Sequence, residues 1–521
     1  MTKINSFRIR NLRSFSMDSK FIPINNINIY VGKNSSGKST FTRIFPLLRQ
    51  SIEEKTKGPI LWFGNYVDFG SFKSALNINS TEQEIFFDFD ITLTDYKENI
   101  FELYYPRDET EDLPESPPIN ILITIGVTDY RNTTSASTLK IVDGHSEVEI
   151  KLEGQKPVSF IIRNSLLNWE EYFEFDFIHR PGKLIPDLFY LMKPNSGIRH
   201  HQEHPSILVD SLRDYLMKYH HKNKQSSSIE ESIDKLTIMA KQELMDFFSS
   251  EFEDNNQFFK NIKGQEEEFL EVVHYYCLAL YSPNLIGLAN EALYSFFKGV
   301  RYLGPVRASA ERFYRYQDLQ INEIDHQGSN LPMVLNSLDN TQKQELKKWI
   351  NTNFGFSLKV SEEGQHYAIL IKEEGQENYF NISDMGFGYS QILPIVVSVW
   401  LEQEQKKSIE YTLFNFEQKV DPIIVIEQPE LHLHPRLQYK FAKAIAKLSA
   451  LAKEKTRFVF ETHSNHIIDA IGDAIDNNVI EQGTVSITIF EKDENGNTTT
   501  EESGFDTSGY LINWPAGFLS S

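Results

Sequence analysis

A glycine-rich segment near the start of the chain has the residue types and the spacing that bind phosphate. It follows the strand-like stretch NINIYV and matches the pattern GxxxxGK[ST]; its residues are Gly32, Lys33, Asn34, Ser35, Ser36, Gly37, Lys38 and Ser39. The glycines let backbone N–H groups turn towards phosphate oxygens, and a helix starting near Lys38 points its positive end at the same anion. We expect Lys38 to reach the β- and γ-phosphates, Ser39 to ligate Mg²⁺ and Thr40 to add a hydrogen bond to phosphate. The segment therefore predicts a site for ATP and Mg²⁺.

A group of polar residues follows an apolar run far downstream. Residues 423–430 are Ile-Ile-Val-Ile-Glu-Gln-Pro-Glu, which predicts a buried strand that ends in a carboxylate. The phosphate-binding loop would lie at the same edge of a parallel sheet, so we assign Glu427 to the Mg²⁺ shell. The next residue, Gln428, can orient a water molecule but cannot accept its proton. Either Glu430 is the catalytic base, or hydrolysis is slow and the ATP-bound state persists.

Two further segments have the chemistry of phosphate contacts. Residues 381–391, which contain Ser383, Gly386 and Gly388, lead into the apolar helical stretch ILPIVVSVW and predict a second anion-binding surface. Because this surface cannot occupy the same phosphates within one subunit, we expect it to cap the nucleotide of another copy. His463 follows the strand-like run RFVFE, and from there it can hydrogen-bond phosphate or the attacking water.

An α/β fold with a mixed sheet must position these residues. The hydrophobic period changes along the chain, from strand and helix to short alternating strands, then to helical spacing, and back to alternating helix and strand. These changes predict the following parts: the beginning of the ATPase head at 1–82, an antiparallel β subdomain at 83–163, an α-helical insertion at 164–300 and the end of the head at 301–521.

Composition narrows the class of protein. The 521 residues have a formal net charge of −21, so contact with nucleic acid would need a local basic patch or a partner. No apolar run of membrane-spanning length and no signal peptide are visible, and the single cysteine, Cys277, fits a cytoplasmic protein. The His-rich or basic runs 199–204 and 218–224 predict solvated faces. A nucleic-acid or partner contact, or a metal pair at His200 and His204, are the alternatives.

The order and spacing of the motifs resemble the ABC-type P-loop ATPases of the SMC, Rad50, RecF and OLD group, over about residues 1–80 and 300–515. Compact AAA family ATPases of bacterial defence islands are similar through the segments SFRIRNLRSF, VDFGSF, YLGPVRAS, SDMGFGYSQILP, IEQPELHLHP, ETHS and NWPAGF. The resemblance implies these roles: Walker A for Lys38 and Ser39, Walker B for Glu427, a signature acting in trans for Ser383, Gly386 and Gly388, the D-loop region for His434, the switch for His463 and an approach to nucleotide for Arg13. By position alone, Gln50 is the candidate Q-loop glutamine; the alternative is an exposed helix residue.

The resemblance also implies partners. Its nearest match is the ATPase subunit of Septu-type or retron-associated antiphage systems, in which dimerising heads control a separate HNH-type nuclease. A reverse transcriptase with its msDNA, or DNA itself, is a further implied contact. The chain ends soon after its last predicted strand, so we expect no nuclease domain of its own. The alternatives are a RecF-like DNA-binding repair ATPase and a slow-turnover, nucleotide-gated scaffold, which Gln428 permits.

Overall fold

The computed structural model describes residues 2–94, 117–144, 146–154, 156–171, 175–190, 206–253, 256–315, 323–363, 366–411, 420–451 and 456–515. Within these ranges the chain is an α/β protein with several sheets, as predicted. The predicted metal pair His200/His204 and the last residues of the NWPAGF segment lie outside the described residues.

The strands, in chain order, are β1 (Lys3–Arg10), β2 (Ile22–Pro23), β3 (Ile27–Gly32), β4 (Ile85–Leu93), β5 (Ile119–Tyr130), β6 (Thr133–Asp143), β7 (Ser146–Glu153), β8 (Lys156–Arg163), β9 (Asn168–Glu171), β10 (Phe175–Ile178), β11 (Asp187–Tyr190), β12 (Val300–Leu303), β13 (Tyr314–Arg315), β14 (Phe356–Glu363), β15 (His366–Glu373), β16 (Phe380–Asn381), β17 (Ile423–Glu427), β18 (Arg457–Glu461), β19 (Val485–Lys492), β20 (Thr498–Phe505) and β21 (Leu511–Ile512). The α-helices are α1 (Lys38–Thr42), α2 (Ile44–Glu53), α3 (Phe72–Ala75), α4 (Ser206–Met217), α5 (Ser226–Asp234), α6 (Lys241–Glu251), α7 (Asn256–Ile262), α8 (Glu266–Lys298), α9 (Leu331–Ser337), α10 (Asn340–Phe354), α11 (Phe387–Tyr411), α12 (Pro435–Leu451) and α13 (Asn465–Asp476).

Contacts divide the chain into two compact units. The first unit consists of Met1–Leu12, Ser51–Leu61 and Gly70–Tyr294, and the second of Arg13–Gln50, Trp62–Phe69 and Ser295–Ser521. The division of the chain into four parts stays a prediction. All the motifs with predicted chemistry, apart from the first residues of SFRIRNLRSF and the end of VDFGSF, belong to the second unit.

The first unit contains an antiparallel sheet in which β1 pairs with β4, and β4 to β9 pair in succession. In β7, alternating residues are buried, which is the pattern of a strand with one covered face. Arg131 and Asn132 both have positive φ angles, as a two-residue hairpin loop between β5 and β6 requires. In the segment predicted as helical from 164, the described residues contain β9, β10 and β11 before α4.

The second unit contains the sheet that positions the site, with strand order β12-β17-β18-β3-β19-β20-β21. The strands from β12 to β19 pair in parallel, while β20 pairs antiparallel with β19 and with β21, so the predicted mixed sheet is confirmed. Every residue of β3, β17 and β18 is buried, because helices cover both faces of a parallel sheet. The carboxyl ends of these three neighbouring strands meet at one edge.

Apolar side chains from the sheet and the helices form the core of this unit. Ile29, Ile424 and Phe458 of the sheet belong to the same buried cluster as Trp400 of α11 and Phe441 of α12. A smaller sheet, in which β15 lies between β13 and β14 and also pairs with β16, precedes α11. Over the ranges that the structure describes, none of the helices combines the length and the apolar character that a bilayer crossing requires.

Candidate nucleotide-binding site

The phosphate-binding loop connects β3 to α1, where the sequence predicted it. Gly37 precedes α1 with φ 109, a backbone conformation that favours glycine. A Cβ atom on Gly37 would lie 2.3 Å from the Thr498 hydroxyl oxygen, and one on Gly32 would lie 2.3 Å from the Phe490 carbonyl oxygen. Thr498 of β20 also donates a hydrogen bond to the carbonyl of Ser36 at 2.8 Å. The loop is therefore held in shape by strands from the opposite end of the chain.

Lys38 folds back over this loop. Its ammonium group donates hydrogen bonds to the carbonyl oxygens of Gly32, at 2.8 Å, and Lys33, at 2.9 Å. Burial lowers the pKa of Lys38, and the carboxylates of Glu461 and Glu430 oppose that shift. The positive charge thus lies inside the loop, beside two acidic side chains, where a phosphate group would meet it.

Ser39 has a partner that the sequence reasoning did not assign. Its hydroxyl donates a hydrogen bond of 2.7 Å to Oε1 of Glu461, the last residue of β18. Glu461 was visible only as the first letter of ETHS, and no role was predicted for it. Burial, together with the charge of Glu427 next to it, raises the pKa of Glu461 to about 7. Glu427 and Glu461 are register partners at the ends of β17 and β18.

Glu427, predicted as a Mg²⁺ ligand, lies at the same edge but is paired with a cation. Arg43 donates from Nε to Oε1 at 2.8 Å and from Nη2 to Oε2 at 2.9 Å. The Tyr302 hydroxyl donates to Oε1 at 2.7 Å. Both carboxylate oxygens are therefore occupied, and the hydrogen bond to Glu427 raises the pKa of Arg43. Neither Arg43 nor Tyr302 was assigned a role from the sequence.

Glu430, the candidate base, is held by the segment that follows β18. Its Oε2 accepts from the Thr462 hydroxyl and its Oε1 accepts from the backbone N–H of His463, both at 2.8 Å. Burial raises the pKa of Glu430 although these hydrogen bonds oppose the shift. Gln428 has a positive φ of 46° and donates its N–H to the Glu461 carbonyl at 2.8 Å. The predicted base thus accepts a hydrogen bond from the backbone of His463, the predicted switch residue.

Arg307, from the YLGPVRAS segment, connects this edge to the helix that follows the signature. One of its guanidinium nitrogens, Nη2, donates to the Glu427 carbonyl at 2.9 Å. Its backbone N–H and carbonyl bind the side-chain amide of Gln391 in α11, both at 3.3 Å. The side chain is buried, which lowers the pKa of Arg307 to about 10, and its Nε and Nη1 have no partner among the described residues.

The predicted signature is exposed and makes local contacts. Ser383 and Gly386 are exposed, and the Ser383 hydroxyl donates to Asn381 Oδ1 at 2.8 Å. Gly388 comes close to the neighbouring segment, since a Cβ on it would lie 3.2 Å from the His432 carbonyl. His434 is also exposed, and its Nδ1 accepts from the backbone N–H of Arg436 at 3.3 Å.

Arg13 and Gln50, two further candidates from the sequence, contact the segment 66–69. Arg13 has its guanidinium over the Phe69 ring, 4.1 Å from the centroid, and its pKa is lowered by burial and then by the charge of Arg43. Gln50 is buried rather than exposed; its Oε1 accepts from the N–H groups of Tyr66 and Val67 at 3.3 and 3.2 Å. Gln50 therefore holds residues 66 and 67 against α2, and Arg13 packs on Phe69 of the same segment.

The acidic residues can hold a metal only together with another group. In the part of the chain that the structure describes, no set of three His, Cys, Asp or Glu side chains could bind a metal ion alone. Mg²⁺ commonly takes one or two protein ligands and completes its shell with substrate phosphates and water. The buried Oε2 of Glu461, which has no hydrogen-bond partner in the described ranges, fits such a shared shell.

One family model and several known proteins are similar to this chain. A family model described as an AAA ATPase domain matches residues 2–468. Endonuclease GajA of Bacillus cereus (strain HuB5-5) is 26% identical over 179 residues, which cover 30% of this chain and only 25% of that protein. Solved structures that are similar include an Smc head domain bound to the C-terminal domain of ScpA from Pyrococcus furiosus, with 10% identity, 96% of each chain covered and a TM-score of 0.37. The recombination mediator RecF with ATPγS has 10% identity, 96% and 98% coverage and a TM-score of 0.28.

Proposed function

Because this chain belongs to the AAA ATPase domain family, we propose that its second unit binds ATP with Mg²⁺ and hydrolyses it at the edge formed by β3, β17 and β18. One observation carries the proposal. The loop around Lys38 is already shaped, the charges of Glu461 and Glu430 act on its lysine, and Glu461 accepts a hydrogen bond from its serine.

Binding needs little rearrangement of the loop. Phosphate oxygens would replace the two carbonyl oxygens that Lys38 now contacts, and the backbone N–H groups after Gly32 would surround the same phosphates. Ser39, with a carboxylate from the strand ends, would hold Mg²⁺, which supplies charge neutralisation to the phosphates during transfer. The Arg43–Glu427 ion pair keeps a second cation beside this edge.

We assign the general base to Glu430. Its carboxylate is oriented by Thr462 and His463, and burial raises its pKa towards the range in which a base accepts a proton effectively at neutral pH. Gln428 would orient the water without accepting its proton. If Glu430 is not the base, we propose instead that the protein is a nucleotide-gated scaffold that hydrolyses ATP slowly.

We propose that the signature completes the site of a second copy. Ser383 and Gly386 are exposed, and Phe387 next to them is 66% exposed, so this surface is accessible to another chain. Two heads would close while the γ-phosphate bridges them and open after hydrolysis. Head closure of this kind is what the resemblance implies.

We further propose that head closure controls a separate HNH-type nuclease in a cytoplasmic antiphage complex of the Septu or retron-associated kind, with a reverse transcriptase, msDNA or DNA as additional contacts. The similarity to Endonuclease GajA supports a link to nuclease systems, although the alignment spans a quarter of that protein. A RecF-like repair ATPase is the competing function.

Phosphate release by the full chain, with and without DNA, tests the proposal. Turnover that needs Mg²⁺ and is lost in Lys38→Ala supports the ATPase. Strong stimulation by DNA alone favours the repair ATPase, whereas ATP binding with negligible turnover in all conditions favours the scaffold. Absence of ATP binding by the unmodified chain contradicts all three.

A further inference from the structure

The three glutamates at the strand ends have different partners. Both carboxylate oxygens of Glu427 are engaged, by Arg43 and Tyr302, and both oxygens of Glu430 are engaged, by Thr462 and His463. Glu461 differs, because only its Oε1 is engaged, by the hydroxyl of Ser39.

The other oxygen of Glu461 is buried without compensation. The residue is 3% exposed, and Oε2 has no hydrogen-bond partner in the part of the chain that the structure describes. A buried carboxylate oxygen without a donor is costly, so this position calls for an interaction that a ligand can supply. No donor from the neighbouring ion pair reaches it, since Arg43 is bound to Glu427.

The contact with Ser39 indicates the class of ligand. The Ser39 hydroxyl, predicted as a Mg²⁺ ligand, donates a hydrogen bond of 2.7 Å to Oε1 of Glu461, so this carboxylate lies directly beside the predicted metal position. Mg²⁺ is usually bound through one or two carboxylates together with substrate phosphates.

We propose that Glu461 is the protein carboxylate that ligates Mg²⁺ beside Ser39, and that Glu427 is a positioning residue that holds Arg43. The assignment rests on the proposed function, because the metal arrives with the nucleotide. It moves the metal contact from β17 to β18, one strand closer to β3, with which β18 pairs directly. For Glu427 to take this role, it would have to give up two hydrogen bonds from Arg43 and one from Tyr302.

The test measures the affinity of the full chain for Mn²⁺ in the presence of ATP. Electron paramagnetic resonance distinguishes bound from unbound Mn²⁺. We expect Glu461→Gln to weaken Mn²⁺ binding at least tenfold. With EDTA present, the same variant should bind a fluorescent ATP analogue as well as the unmodified chain or better, because a negative charge near the phosphates is removed. Glu427→Gln should keep Mn²⁺ affinity within about threefold of the unmodified chain, and the exposed Glu501→Gln is the matched control.

Unchanged Mn²⁺ affinity in Glu461→Gln overturns the assignment, most decisively if Glu427→Gln loses that affinity. If Glu461→Gln does not fold, Glu461→Asp serves in its place: it keeps the charge and shortens the side chain, and equal Mn²⁺ affinity in this variant also counts against ligation. Failure of the unmodified chain to bind the ATP analogue in EDTA or in Mg²⁺ instead contradicts the proposed function itself.

Discussion

The second unit has two loops in which serine and glycine precede a helix, and the two differ in how the chain supports them. In the phosphate-binding loop, Ser39 bonds to Glu461, 422 positions away, and Gly37 packs so closely against Thr498 that no Cβ fits. In the signature loop, Ser383 bonds to Asn381, two positions away, and a Cβ on Gly386 would meet nothing within 4 Å.

This difference separates a site that one chain completes from a surface that it leaves accessible. Long-range contacts fix the first loop in position before any ligand arrives, which reduces the ordering cost of binding. The second loop has a glycine in the left-handed region, with φ 77 at Gly386, and open space where a side chain would be. Such a glycine allows another molecule to approach the backbone closely.

The largest effect is expected from removing the cation of the first loop. Lys38→Ala should weaken ATP binding by about 100-fold or more, because a buried charge facing the phosphates is lost. Lys20→Ala, an exposed lysine in the same unit, is the control. Binding measured with a fluorescent ATP analogue would contradict the assignment if both variants behaved alike.

Glu430→Gln should lower turnover about 100-fold and leave ATP binding intact, since only proton acceptance is removed. The raised pKa of Glu430 also has a pH consequence. A base must be ionised, so activity should fall with decreasing pH at a value above the usual pKa of glutamate. A pH–rate profile with an acid limb at the usual value, or unchanged turnover in the variant, would exclude Glu430 as the base.

Substitutions in the signature loop should impair dimerisation and leave ATP binding nearly unchanged. Ser383→Ala combined with Gly386→Ala should leave ATP affinity within about threefold but abolish the ATP-dependent increase in mass seen by light scattering. Gly375→Ala is a matched control, because Gly375 also has a positive φ and open space around it. Retained dimerisation in the double variant, or a loss in the control, would mean that the loop has no role between copies.

Replacing Gly37 by alanine should destabilise the fold more than replacing Gly386 by alanine. Gly37→Ala combines backbone strain with a collision against Thr498 and should lower the free energy of unfolding by about 3 kcal/mol. Gly386→Ala has the strain alone and should cost about 1 kcal/mol. Urea unfolding of both variants gives the comparison, and equal costs would show that packing does not distinguish the loops.

A pH-dependent effect on stability is expected at Glu461 without metal or nucleotide. Its pKa, raised from 4.5 to about 7, means that the folded chain holds a proton that the unfolded chain releases between those pH values. Its contribution to stability therefore decreases as pH rises from 4.5 to 7. Glu461→Gln should consequently raise the unfolding free energy by about 2 kcal/mol at pH 8 and by much less at pH 4.5. A gain that does not depend on pH would contradict the raised pKa.

Local motifs in the sequence predicted the strand, the turn and the helix around the first loop. These elements are contiguous in the chain, and backbone rules for glycine and helix ends then indicate where phosphate would bind. The β-rich stretch after 83 was equally visible, because period-two alternation is a local property. The predicted mixed sheet followed from apolar runs alternating with helices.

The hydrogen-bond partners of the acidic residues could not be predicted from local motifs. Glu427 was expected at the metal, yet it is paired with Arg43, and Glu461 had no assigned role although it bonds to Ser39. Gln50 could be placed on a helix but not inside the core. Each of these outcomes depends on which strands are neighbours and in which register they pair.

The sequence by itself thus determined the kinds of chemistry available. The phosphate loop, the acidic strand ends and the second glycine loop each lie within a short, contiguous segment. Only the tertiary structure decided which acid meets the serine. In a parallel sheet, strands that are adjacent in space are joined by long connections, so the pairing of β18 with β3 brings Glu461 to Ser39 and leaves Glu427 to Arg43.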